Sequence, residues 1–161
     1  MIEQLKAHQV AMYVENVFSA VDSMVSLGFD EWMWDEALLV GEVYGRPMET
    51  KATMAFNYQF GPNELEFLRY WGPSWHTDAG RTSEAGTPTH PFLSHLSIKC
   101  EDLDDAAHDM NLDRFEVVQW FKTHDHKNPL LIERKQSFNE RVYGTRDRFG
   151  YDIKLITRVV G

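Results

Sequence analysis

The 161-residue sequence predicts an α+β fold made of two tandem βαβββ modules. Three observations predict it: two strand-like segments match position by position, two more match downstream, and the separations nearly agree. "QVAMYVEN" (9–16) aligns with "HLSIKCED" (95–102), and "NELEFLRY" (63–70) aligns with "YDIKLITR" (151–158). Gln9 to His95 spans 86 positions and Glu66 to Lys154 spans 88, so a two-residue insertion accounts for the difference.

The opening strand of each half alternates with period two. Val10, Met12 and Val14 share one face, as do Leu96, Ile98 and Cys100. Each strand ends on Asn16 or Asp102, whose side-chain oxygens suit a helix N-cap. The next stretch carries Val17, Ala20, Val21, Met24 and Leu27 at helical spacing and stops at Gly28. "LDDAAHDMN" reads as a shorter helix whose first-turn acids favour the helix dipole. Strand-like stretches follow in the first half at "FDEWMW", "ALLVGEVY" and "TMAFNYQF", before the strand carrying Glu66. The second half offers "FEVVQWFKTH" and "NERVYGTRD" before the strand carrying Lys154. The modules are therefore placed at 1–71 and 92–161. The Gly-, Pro-, Ser- and Thr-rich segment 72–91 is a linker long enough for part of it to fold over a site.

Composition narrows the function. Hydrophobic residues at 43% and aromatics at 13% support a packed interior. A formal net charge of −9 argues against nucleic acid or an anionic membrane as main partner and suits neutral or cationic small molecules. Cys100 is the single cysteine, so no internal disulfide forms and a reducing cytoplasm is the expected setting. The start, "MIEQLKAHQV", lacks a signal-peptide layout, and no apolar run approaches the roughly 20 residues that cross a bilayer.

Two βαβββ modules opening on Gln or His, with "HLSIKCEDLDDA" (95–106) and "RDRFGYDIKLI" (146–156), resemble the vicinal oxygen chelate superfamily. That group includes glyoxalase I, bleomycin-resistance proteins, extradiol dioxygenases and methylmalonyl-CoA epimerases. The resemblance covers nearly the whole chain. It implies a curved mixed sheet enclosing a cup, a homodimer, and metal ligands on the first and last strand of each module. Those positions here are Gln9, Glu66, His95 and Lys154. The first three match a Gln, Glu and His set; Lys154 stands where the family has a carboxylate.

That lysine matters energetically. Gln9, Glu66 and His95 would be sensible ligands for Zn, Fe, Mn or Ni. An ammonium about 4 Å from a dication repels it by roughly 8 kcal/mol at an effective dielectric of 20. The simplest outcome is an internal cation replacing the metal, paired with Glu66. A register slip by one would instead turn His8 inward, and Lys154 would serve equally as a solvated charge on a strand edge.

Other candidates are weaker. His124 and His126 lie two apart in "THDHKN" and read as a solvated strand end. His76 and His90 fall in the linker, where they could cover the cup. Trp32 and Trp34 share one side of a strand, and Trp71 follows Glu66; such tryptophans stack on flat or cationic ligands. The expected function is metal-free binding of a small cationic or aromatic molecule by Gln9, Glu66, His95, Lys154, Trp32, Trp34 and Trp71, with no cofactor. The alternative is a divalent-metal isomerase, lyase or dioxygenase using Gln9, Glu66 and His95. If catalysis is metal-free, Glu66 and Lys154 are the proton-transfer groups.

Overall fold

The computed structural model describes residues 7–160. Residues 1–6, which carry most of the expectation about a leader, and Gly161 lie outside that range.

The first module runs β1 (Ala7–Tyr13), α1 (Val17–Ser26), β2 (Trp32–Val43), β3 (Arg46–Asn57) and β4 (Glu64–Tyr70). A short helix α2 (Trp75–Asp78) follows within the linker. The second module runs β5 (Phe92–Lys99), α3 (Leu103–Asp109), β6 (Val117–His124), α4 (Pro129–Glu133), β7 (Gln136–Tyr143), α5 (Arg146–Phe149) and β8 (Asp152–Val160). The three strand-like stretches ahead of β4 make only two strands. "EWMW" and "ALLVGEV" fuse into the single 12-residue β2, because the inward alternation from Asp35 to Val43 never breaks.

The eight strands close into a barrel in the order β1-β4-β3-β2-β6-β7-β8-β5. The modules meet along two antiparallel seams, β1 with β5 and β2 with β6. At the second seam the backbones come so close that a Cβ on Gly41 would lie 2.0 Å from the Trp120 carbonyl oxygen. Only glycine fits there.

The registers reproduce the repeat. Gln9 pairs with Glu64 and Ala11 with Glu66 in the first module; His95 pairs with Asp152 and Ser97 with Lys154 in the second. Across the first seam Val10 faces Leu96, with Gln9 opposite Ser97 and Ala11 opposite His95. A pseudo-two-fold through the Val10–Leu96 pair thus exchanges the modules and, because the strands are antiparallel, swaps the two ends of the barrel.

Each helix covers the outside of its own module. The Asn16 side chain accepts the Ser19 N–H at 3.0 Å, and α1 buries Val17 and Val21 against Ala55, Phe67 and Trp32. The helix ends a residue before Leu27, which is exposed rather than part of the apolar stripe. In the second module Asp102 caps α3, and Ala106 and Ala107 pack against Ile98 and Leu155. Inside the barrel, Ala11, Tyr13, Leu39, Leu68, Trp75, Phe121 and Val142 form one apolar cluster.

Candidate functional site

One end of the barrel is filled by the linker. Trp75 and His76 are fully buried there. Trp75 donates its backbone N–H to Gln119 Oε1 at 3.0 Å and its Nε1–H to Asp152 Oδ2 at 2.8 Å. Tyr13 donates its hydroxyl to the Gly86 carbonyl at 2.6 Å. A Cβ on Gly86 would stand 1.9 Å from the Tyr70 carbonyl oxygen, and its φ of +80° favours glycine as well. The linker does fold over an end of the barrel, but His76 plugs this end and His90 is exposed.

The other end is a cup of about 240 Å³. Its apolar walls are Met33, Met54, Phe56, Tyr58, Leu130, Leu131 and Phe138, and its polar groups include Gln9, Asp35, Glu64, Glu66, Thr123, His126, Glu140 and Lys154. Three of the four residues expected at the site, Gln9, Glu66 and Lys154, therefore line one cavity. Both His8 and Gln9 touch it, but Gln9 is the buried one, so the register stands as read. His95 is buried too, yet it is not among the cup-lining residues.

Lys154 is paired with Glu140 on β7 and not with Glu66. Its Nζ lies 2.6 Å from Glu140 Oε1, with both groups buried, and Glu140 Oε2 accepts the Thr123 hydroxyl. Burial opposes the ammonium, but Glu140 and Glu66 outweigh it and raise its pKa. Glu66 is left as the weaker partner. Burial pushes its carboxyl up to about 8 against the pull of Lys154, and Glu64, Glu140 and Asp35 push the same way. Glu66 is thus a neutral hydrogen-bond donor near pH 7. Glu140 was missed because its pairing depends on which strand flanks β8; the signal was its place two residues before inward Val142.

His95 ends a directed chain. Arg81 Nε–H donates to His76 Nδ1 at 3.0 Å, which places the His76 proton on Nε2. That nitrogen lies 2.7 Å from Ser94 Oγ, and Ser94 Oγ lies 2.9 Å from His95 Nδ1. With His76 donating to it, the Ser94 hydroxyl gives its own proton to its other partner, His95 Nδ1, and this direction leaves His95 with its proton on Nε2. This atom has no hydrogen-bond partner. Burial, with Lys154 next, holds the His95 pKa well below the usual imidazole value, so the ring is neutral.

The three tryptophans assigned to the ligand fall outside the cup. On β2, inward Met33 and Asp35 alternate with Trp32 and Trp34, so both indoles point outward. Trp32 stacks on Phe67 at 5.4 Å beneath α1, and Trp34 stacks on Phe18 at 4.7 Å. Trp71 is 55% exposed, with the Arg69 guanidinium 4.1 Å from its ring centre. Phe56, Tyr58 and Phe138 supply the aromatic wall instead. His126, expected to be solvated, is buried in the cup, because Asp125 adopts a φ of +53° and turns the chain inward.

No family profile matches the sequence, and no curated protein matches it significantly. Solved structures do match. The hypothetical protein BH1468 from Bacillus halodurans C-125 superposes with a TM-score of 0.53 at 13% identity, covering 98% of this chain and 96% of that one. A variant of 4-hydroxymandelate synthase from Streptomyces coelicolor gives 0.54 at 13% identity, with 98% of this chain spanning 50% of the synthase. Methylmalonyl-CoA epimerase, in complex with methylmalonyl-CoA and ammonium, gives 0.50 at 13% identity over 96% and 94% of the two chains. The fold is that of the vicinal oxygen chelate superfamily. The four positions that the sequence resemblance implied as ligands, Gln9, Glu66, His95 and Lys154, are otherwise engaged. Gln9 Oε1 accepts the Ser97 hydroxyl at 2.9 Å while its amide donates to Glu64. His95 carries its proton on the free nitrogen, and Lys154 brings a positive charge. As arranged, this donor set does not fit a divalent ion.

Proposed function

We propose that the chain binds a small organic molecule in the cup without a metal ion. Glu64 and Glu66 would meet a cationic or hydrogen-bonding head; Phe56, Tyr58 and Phe138 would meet an aromatic or branched body. The observation that carries this reading is the buried Lys154–Glu140 pair at 2.6 Å, an ammonium at the position where the sequence resemblance implied a metal-binding carboxylate. A cup of about 240 Å³ is smaller than the ~300–1,000 Å³ of sites for drug-sized ligands, which favours a compact metabolite.

Elemental analysis of protein purified without chelator tests the metal-free part. The expected content of transition metal is far below one per chain; a stoichiometric metal lost in His95→Ala overturns it. Thermal-shift titration with small aromatic amines tests the ligand class. A bound cation must displace the Glu66 proton, so amine affinity should rise about tenfold per pH unit as pH approaches 8 from below. A second reading, a metal on Gln9, Glu66 and His95, draws on the unpartnered His95 Nε2. It requires the hydrogen-bond chain from Arg81 to reverse, and the same elemental analysis decides it.

A further inference from the structure

The turn after β6 brings the cup a second polar constellation, which ligand binding by Glu64 and Glu66 leaves idle. His126 Nδ1 lies 2.6 Å from Asp35 Oδ2 on β2. The other carboxylate oxygen, Oδ1, accepts the backbone N–H groups of Lys127 and Asn128, each at 2.9 Å. Asn128 in turn donates its side-chain amide to the Trp34 carbonyl at 3.2 Å, tying the loop to β2. Asp35 therefore cannot swing, and it holds the imidazole with the proton on Nδ1. The ring of Phe138 packs edge-on against the imidazole at 5.6 Å.

The other ring nitrogen is the informative atom. His126 Nε2 is buried without a hydrogen-bond partner, and His126 and Asp35 both line the cup. A buried acceptor left unmet is destabilising, and a ligand proton would relieve it. Glu66, three strands from β6 one way round the barrel, and Lys154, two strands the other way, offer hydrogen-bond donors to the same cavity.

From this juxtaposition we infer that His126 is a proton-transfer residue, positioned by Asp35, acting on a carbon acid bound in the cup. The inference rests on the small-molecule reading and adds a chemical step to it. The C–H bond beside a carbonyl breaks, its proton passes to His126 Nε2, and the electron pair moves onto the carbonyl oxygen. The Lys154 ammonium and the Glu66 hydroxyl are placed to stabilise that enolate. Return of a proton from His126 to carbon closes the cycle, with no oxidant and no metal.

The test uses phenylacetone and acetylacetone in deuterium oxide, following loss of the α-proton signal by proton NMR alongside thermal shift. The native chain should accelerate exchange of at least one probe, and His126→Gln should lower that rate about 100-fold or more while the probe still binds. Asp35→Asn is the second variant. It should flip the imidazole tautomer, read from the ring nitrogen shifts in labelled protein, and slow exchange in parallel. A probe that binds but exchanges at the buffer rate overturns the inference and leaves the binding reading intact. Unchanged exchange in His126→Gln or Asp35→Asn also overturns it. If neither probe nor any aromatic amine binds, both readings fail.

Discussion

The two ends of the barrel are built from equivalent backbone, yet one is core and the other is a cup. At the closed end His95 and Asp152 meet Trp75, His76, Arg81 and Arg146, and hydrogen bonds and ion pairs tie the linker to both strands. At the open end the equivalent residues, Gln9 and Glu64, border free volume together with Glu66, Lys154 and His126. The contrast teaches that duplication supplies a pair of hollows, and local insertions decide their fate. The linker fills one. The longer β6–β7 connection, which replaces the tight Tyr44–Gly45 turn of the first module, furnishes the rim of the other.

The largest way to break the contrast is Gly86→Ala, which sets a methyl group against the Tyr70 carbonyl. It should cost about 4 kcal/mol or more in urea unfolding; a loss under about 1 kcal/mol would mean the plug is not structural. Next is Lys154→Met, which strands Glu140 as a buried charge and should cost about 3 kcal/mol at pH 7. Lys154→Met combined with Glu140→Gln should recover most of that loss, and a double-mutant cycle measures the coupling.

A pH profile separates the ends more gently. At the closed end His76 and His95 titrate well below 6.5 in the folded chain, and at the cup His8 falls to about 3, mainly through burial. Their depressed values give stability that is present above pH 6.5 and lost as pH falls. Glu66, raised to about 8 mainly by burial, gives stability that is full at acid pH and lost as pH rises from about 4.5 through 8. These four groups place maximum stability near pH 6.5. Glu66→Gln should remove about 1.4 kcal/mol per pH unit from the alkaline slope, measured by chemical denaturation at several pH values. The smallest expected effect is on the outside: Trp34→Ala and Trp71→Ala should leave ligand thermal shifts unchanged, whereas Phe56→Ala should weaken binding about tenfold.

Much of the frame was legible because alternation and repeat are properties of consecutive residues. The alignment made Gln9 equivalent to His95 and Glu64 to Asp152, and the sheet keeps that equivalence in the registers Gln9–Glu64 and His95–Asp152. The tryptophans misled because β2 runs on without a break, and its phase is set by Asp35, Ala37 and Leu39 instead of by the indoles. The partners of Lys154 and His126 were invisible for another reason. Glu140 reaches Lys154 across neighbouring strands, and Asp35 meets His126 across a separation of 91 residues. Such contacts depend on barrel closure, which no local pattern encodes.

The guanidinium of Arg81 has a reach longer than its side chain. By donating into His76 it sets the polarity of a three-member relay and decides, from the plugged side, whether His95 shows a hydrogen or a lone pair. Replacing Arg81 with a residue that accepts would reverse every arrow in the series and hand the imidazole back as an electron-pair donor. A scaffold of this kind can therefore trade one chemistry for another through a change made far from the atoms that do it.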